Sequence, residues 1–210
     1  RHAMRLSKFK ITNYRNILDS GWITTTNVTA FVGQNEAGKS NLFEALYCLN
    51  PYVAGAAYND AEDWPVDDWK GRKDSKGKLV CQAIFHLDSD DIQSLFDDAT
   101  IQVDVAETEG DVEGTAVPNI KLPESLDILV YRHYGHGTGF KIEDAEGLGL
   151  DAKRVTEWAK TSLPKFVLIH DYNFSGTQVE LDQLKQRWDS VGRDNRHLLS
   201  AEDQTILIVL

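Results

Sequence analysis

Two cysteines, Cys48 and Cys81, are all that this 210-residue sequence contains. That is too few for a disulfide framework or a thiolate metal site. Both lie in apolar runs, the setting of buried free thiols, so a reducing cytoplasm is the expected compartment. No apolar run approaches the about 20 residues that cross a bilayer, and no membrane partner is expected. The start, Arg1-His2-Ala3-Met4, is polar and lacks a signal-peptide core; residues 1–3 look like a cloning scar ahead of a natural Met4. Basic residues are outnumbered 22 to 33, for a net charge of −11, which argues against a surface given over to nucleic acid. One local exception stands out. Lys70-Gly71-Arg72-Lys73-Asp74-Ser75-Lys76-Gly77-Lys78 holds five basic residues in nine, either a solvated loop between two elements or a contact for a DNA backbone. The histidines at 86, 133, 136, 170 and 197 show no metal-ligand spacing, and no Ser/His/Asp or Cys/His arrangement suggests a hydrolase of that kind.

What the sequence does contain is Gly33-Gln34-Asn35-Glu36-Ala37-Gly38-Lys39-Ser40, which fits the G-x-x-x-x-G-K-[ST] phosphate-binding loop. The preceding run, Val28-Thr29-Ala30-Phe31-Val32, is apolar and β-branched, as a buried strand would be. The following run places Leu42, Phe43, Leu46 and Leu49 at helical spacing, and Pro51 stops it. Successive loop N–H groups would form an anion nest, and the helix start adds its positive dipole end. Gly33 and Gly38 would allow close backbone approach. Lys39 would reach the β- and γ-phosphates, and the Ser40 hydroxyl would ligate Mg²⁺. No Asn-Lys-x-Asp guanine-reading segment is present, which favours ATP.

Further elements follow from periodicity. Residues 5–11 alternate with period two, a half-exposed strand. Residues 21–24 suggest a short strand, 28–32 the strand feeding the loop, and 39–50 its helix. Residues 51–78 look irregular. Strands are expected at 78–87, 101–106, 126–134, 139–143 and 166–169, with a turn at Gly135-His136-Gly137. Asp88-Ser89-Asp90-Asp91 caps a short helix through Phe96. Helices are expected over 151–162, over 178–190 and from Ser200. The 41% hydrophobic and 26% charged composition is that of a globular protein, and the length suits one large domain or a domain with a lobe.

Residues 9–17, Phe-Lys-Ile-Thr-Asn-Tyr-Arg-Asn-Ile, together with residues 31–46 around the glycine loop, resemble the N-terminus of SMC/RecF-type ABC ATPases. Within that group they look most like the OLD (overcoming lysogenisation defect) family and related antiphage ATPases. The match covers residues 5–49. It implies an α/β P-loop NTPase of ABC-ATPase type, with a mixed sheet around the P-loop helix and an antiparallel β-lobe, incomplete at the C-terminus. Residues 4–175 would be the N-terminal half of the head, and 176–210 the start of a helical insertion or dimerisation segment. The site implied comprises Arg15, near the nucleotide phosphates, with Gly33, Asn35, Glu36, Ala37, Gly38, Lys39, Ser40 and Asn41 holding ATP and Ser40 holding Mg²⁺.

In that family two heads sandwich two ATP molecules. A homodimer or higher oligomer follows as an expectation, coupled to DNA or to a nuclease or other effector. Some family features have no match here. There is no Leu-Ser-Gly-Gly-type signature and no apolar run ending in Asp-Glu. Phe166 to Asp171 is the nearest approach to the latter, with Tyr172 in place of the glutamate. Gln82 and Gln93 are both candidates for the Mg²⁺-contacting glutamine. Trp64 and Trp69, either side of Pro65, would cover the base or pack a loop onto the core. The alternative function is a nucleotide-gated assembly module with little turnover. A small P-loop kinase fits less well, because no arginine-rich lid is present.

Overall fold

In the computed structural model, residues 4–33, 38–53, 55–100, 122–169, 186, 189 and 190 are described. Period-two patterning gives the first strand, β1 (Arg5–Tyr14). A two-residue turn at Arg15-Asn16 returns the chain to β2 (Ile17–Asp19), with Tyr14 opposite Ile17 and Thr12 opposite Asp19. β3 (Ile23–Thr24) pairs with the first half of the same strand, Phe9 facing Ile23. β4 (Leu79–Leu87) takes the other edge of β1, followed by β5 (Leu126–His133) and β6 (Thr138–Ile142). The sheet order is β2-β1-β4-β5-β6, with β3 off this path, and each ladder is antiparallel. Among the described residues the parallel pairing is an isolated bridge, Pro51 to Phe166.

Alternation decides which face is covered. Phe9, Ala83 and Val130 sit side by side, as do Ile11 and Cys81, and all five are buried. The opposite face carries Lys8, Lys10, Gln82 and Tyr131 in the same registers. The P-loop helix α1 (Lys39–Tyr47) lies on the covered side: Tyr58, which hydrogen-bonds the Ala45 carbonyl at 2.7 Å, also contacts the Cys81 thiol.

Helices α3 (Ser89–Ala99) and α4 (Ala152–Ser162) are joined by their apolar stripes, Ile92, Leu95, Phe96 and Ala99 on one and Val155, Trp158 and Ala159 on the other. The Trp158 indole N–H donates to Ser94 Oγ at 3.0 Å. At about 1.5–3 kcal/mol per large side chain, these buried faces outweigh the weak intrinsic preference of 11-residue helices for the helical state. The expected strands at 126–134 and 139–143, the capped helix after Asp88 and the helix at 151–162 are all found within a few residues of their predicted bounds.

Four expectations are corrected. Residues 28–32 form no strand: Val28 is 87% and Val32 97% exposed. A strand needs a hydrogen-bonded neighbour, and this run has no ladder partner among the described residues. Only Phe31 turns inward, against Phe9 and Phe43. Residues 51–78 are more ordered than their composition suggests, containing the single turn α2 (Asp60–Asp63) and a 3-10 segment, Val66–Asp74, kinked at Asp68. Residues 166–169 are not a strand; Phe166 alone bridges to Pro51, and Ile169 is half exposed. α1 also stops at Tyr47, short of the expected residue 50. The segments expected at 101–106, 178–190 and from Ser200 lie outside the described residues apart from 186, 189 and 190, which are helical.

Both cysteines are buried free thiols. Burial pushes the Cys48 thiol up to about 11 and Cys81 further still, so neither is a reactive thiolate near neutral pH. Among the described residues no helix is long and apolar enough to cross a membrane.

Candidate nucleotide site

The start of α1 is built differently from other helix starts in this chain. Asn59, Asp88 and Asp151 cap α2, α3 and α4 with their side chains, each accepting a backbone N–H. At α1 the N-cap is Gly38 in the left-handed region (φ 86°), with no side-chain cap and no acidic residue in the first turn. Among the described residues no carboxylate of the first turn takes up these N–H groups. Lys39 is the first helical residue, and its ammonium reaches back across the loop to the Gly33 carbonyl at 2.7 Å. Ser40 is exposed beside it. Asn35, Glu36 and Ala37 lie outside the described residues.

The turn between β1 and β2 closes one side of this helix start. Asn16 packs so tightly on Gly38 that a Cβ there would stand 2.8 Å from its Oδ1. The same Oδ1 accepts from Asn41 Nδ2 at 2.8 Å. Arg15 adopts a left-handed backbone (φ 49°), as does Asn13 (φ 53°), which is uncommon without glycine. Its guanidinium binds three groups: Nη1 donates to Asn41 Oδ1 at 3.1 Å and to Glu44 Oε2 at 2.5 Å, and Nε donates to Asp63 Oδ1 at 3.0 Å. Arg15 thus lies against the first turn of α1 and is not a free surface arginine.

Asn41 and Glu44, three residues apart, present one helix face to it. Asp63 comes from α2 and is buried at 6% exposure. Its Oδ2 accepts the Asn59 N–H at 2.9 Å, and its main-chain oxygen accepts the Arg15 N–H at 2.6 Å. Sequence reasoning reached Arg15 and Asn41 but missed Asn16, Glu44 and Asp63. The helical spacing of 41 and 44 was a usable signal for Glu44. Nothing local pointed to Asp63, 48 residues from Arg15.

The far end of α1 is anchored by β5 and its neighbour. Arg132 donates to the Cys48 carbonyl, and Thr138 Oγ1 donates to the Leu49 carbonyl at 2.7 Å. A cation at a helix C-terminus is favourable, and here it fixes the helix axis.

Other candidates fall away from this cluster. Gln82 neighbours Cys81 in β4 and so faces the side of the sheet opposite α1. Gln93 is exposed on α3 and bonds Asp97 at 2.8 Å. Trp64 is buried against Tyr134, as packing required, whereas Trp69 is 60% exposed with Arg72 stacked 4.7 Å from its ring. The basic stretch 70–78 runs through the 3-10 segment to the edge of β4 and is largely exposed. His133 and His136 meet ring to ring at 6.3 Å across the turn, as neighbours in a hairpin rather than as ligands. His170 and Asp171 lie outside the described residues.

The arrangement fits a nucleotide triphosphate with Mg²⁺. The first turn of α1 carries no acid, its N-cap is a left-handed glycine, and a lysine and an exposed hydroxyl stand at the first two helical positions. No cluster of three or more His, Cys, Asp or Glu that would hold a metal occurs among the described residues. A cation here would lean on Ser40 and on the phosphates themselves, as Mg²⁺ commonly does.

A family model described as "AAA ATPase domain" matches residues 4–188. The DNA replication and repair protein RecF of Flavobacterium johnsoniae is 28% identical over 85 residues, covering 37% of this chain and 24% of that protein. RecF of Macrococcus caseolyticus is 37% identical over 59 residues, 28% of this chain and 16% of that protein. This chain thus spans about a quarter or less of the length of these curated relatives. A chain solved in work on ATP-driven dimerization and DNA-stimulated activation of SMC ATPases aligns over 90% of this chain and 99% of its own length. Its identity is 13% and its TM-score 0.41, a likeness too slight to support anything about function.

Proposed function

Because this chain belongs to the AAA ATPase domain family and is an SMC/RecF-like P-loop head in sequence, we propose that the start of α1 binds ATP–Mg²⁺. In this reading residues 4–175 are the N-terminal half of the head, and 176–210 open a helical insertion or dimerisation segment. The N–H groups of Asn35, Glu36, Ala37 and Gly38 cradle the phosphates from the Gly33 side. Lys39 leaves the Gly33 carbonyl for the β- and γ-phosphates, Ser40 ligates Mg²⁺, Asn41 braces the first turn and Arg15 adds positive charge. Two heads close on two nucleotides, and a water attacks the γ-phosphate in line, activated by a carboxylate that no motif in this chain supplies. Closure is coupled to DNA processing or antiphage defence, with a nuclease or other effector as partner. The replication and repair role named for the RecF relatives favours DNA, and the OLD resemblance favours defence. The two buried free thiols suit a cytoplasmic setting.

The observation that carries this reading is the helix start itself, glycine-capped, free of acid and followed by Lys39. Mg²⁺–ATP titration of the chain beside Lys39→Ala tests it. Losing the charged hydrogen bonds to phosphate is expected to weaken binding about 10- to 100-fold. Unchanged binding in the variant would overturn the site. Turnover abolished by the same change would place a catalytic carboxylate within this chain, whereas binding without turnover is expected both of half a head and of a nucleotide-gated assembly module.

A further inference from the structure

Arg15 is held by two carboxylates of different character. Asp63 is fixed: its side chain is 8% exposed, its second oxygen is occupied by the Asn59 N–H, and its main chain grips the Arg15 main chain as well. Glu44 touches Arg15 through one oxygen from a side chain that is 27% exposed. The Arg15 side chain is itself 38% exposed, and Nη2 makes no hydrogen bond among the described residues. The left-handed backbone at Arg15 costs free energy unless its surroundings hold it, and Asp63 binds both its main chain and its side chain.

We propose that Asp63 is a positioning residue that holds Arg15 at the first turn of α1, with Glu44 as the exchangeable partner that a nucleotide phosphate displaces. This rests on the nucleotide reading of the α1 start. Without nucleotide, two carboxylates over-neutralise one guanidinium. When a phosphate arrives, Glu44 is the competitor and Asp63 the support, because only Asp63 is buried and fixed by a second donor. The two carboxylates therefore act with opposite signs. Removing the charge of Glu44 frees Arg15 for phosphate, while removing the charge of Asp63 leaves the guanidinium unaimed and the turn unsupported.

The test is Mg²⁺–ATP affinity of the full chain by calorimetric titration, with thermal unfolding of each variant in parallel. Glu44→Gln is expected to tighten binding about threefold, and Asp63→Asn to weaken it about fivefold to tenfold. In an Arg15→Met background both effects should vanish, which a purely structural role of either acid would not produce. If Asp63→Asn unfolds, the sign of Glu44→Gln and its dependence on Arg15 still decide. Lys39→Ala separates the two levels. If it abolishes binding while Glu44→Gln is neutral or weakening, or while either effect persists without Arg15, the positioning proposal is overturned and the site stands. If Lys39→Ala leaves affinity unchanged, the nucleotide reading fails and this proposal with it.

Discussion

The starts of α1 and α3 solve the same problem in opposite ways. α3 begins at Asp88, whose side chain accepts the N–H groups of Asp90 and Asp91 at 3.0 and 2.8 Å, and two further acids follow in the first turn. Its positive end is satisfied from within, and the helix serves packing. α1 begins at a glycine, carries a lysine where α3 carries a serine, and has no acid in its first turn. It gives up only about a few tenths of a kcal/mol of cap stabilisation and has no acidic side chain in its first turn to compete with an anion. A helix start can be made stable or made available, and this chain does both within fifty residues of each other.

Making α1 resemble α3 should have the largest effect. Ser40→Asp places a carboxylate in the first turn, where it favours the helix dipole and opposes a phosphate. Mg²⁺–ATP affinity should fall by about 100-fold or more with a melting temperature unchanged or slightly raised; retained affinity would break the comparison. Gly38→Ala comes next. Asn16 is exposed and able to move aside, so the main cost is the φ of 86°, about 1–2 kcal/mol in stability. Denaturant unfolding would read that cost, and a neutral result would mean that the loop does not require glycine. The smallest effect belongs to α3: Asp88→Ala should cost about 1 kcal/mol in unfolding free energy and leave nucleotide affinity untouched. A change in affinity there would mean that the two helix starts are not independent.

Much of this was legible locally. β1 and β4 showed their period of two, with Phe9, Ile11, Cys81, Ala83 and Phe85 on the covered face. The caps at Asp88 and Asp151 are two- and three-residue patterns and need no long-range information. Gly38, Lys39 and Ser40 likewise sit at consecutive positions that one loop and one helix place together. α2 and the 3-10 segment were not legible, because their residues are polar and their order comes from outside: Trp64 against Tyr134, and Ser75 Oγ donating to Asp60 Oδ2 at 2.5 Å. The run at 28–32 misled for the opposite reason, since its composition suits a strand that has no partner here.

The sequence by itself determined the glycine loop, its lysine and serine, and the amphipathic faces of the flanking elements, since each depends on residues close in the chain. The tertiary structure alone decided that Arg15 lies on α1, that Asp63 holds it from 48 residues away, and that Gln82 faces the other side of the sheet. Those outcomes depend on which strand pairs with which and on which face a helix covers, and a local pattern cannot specify a partner that is distant in sequence.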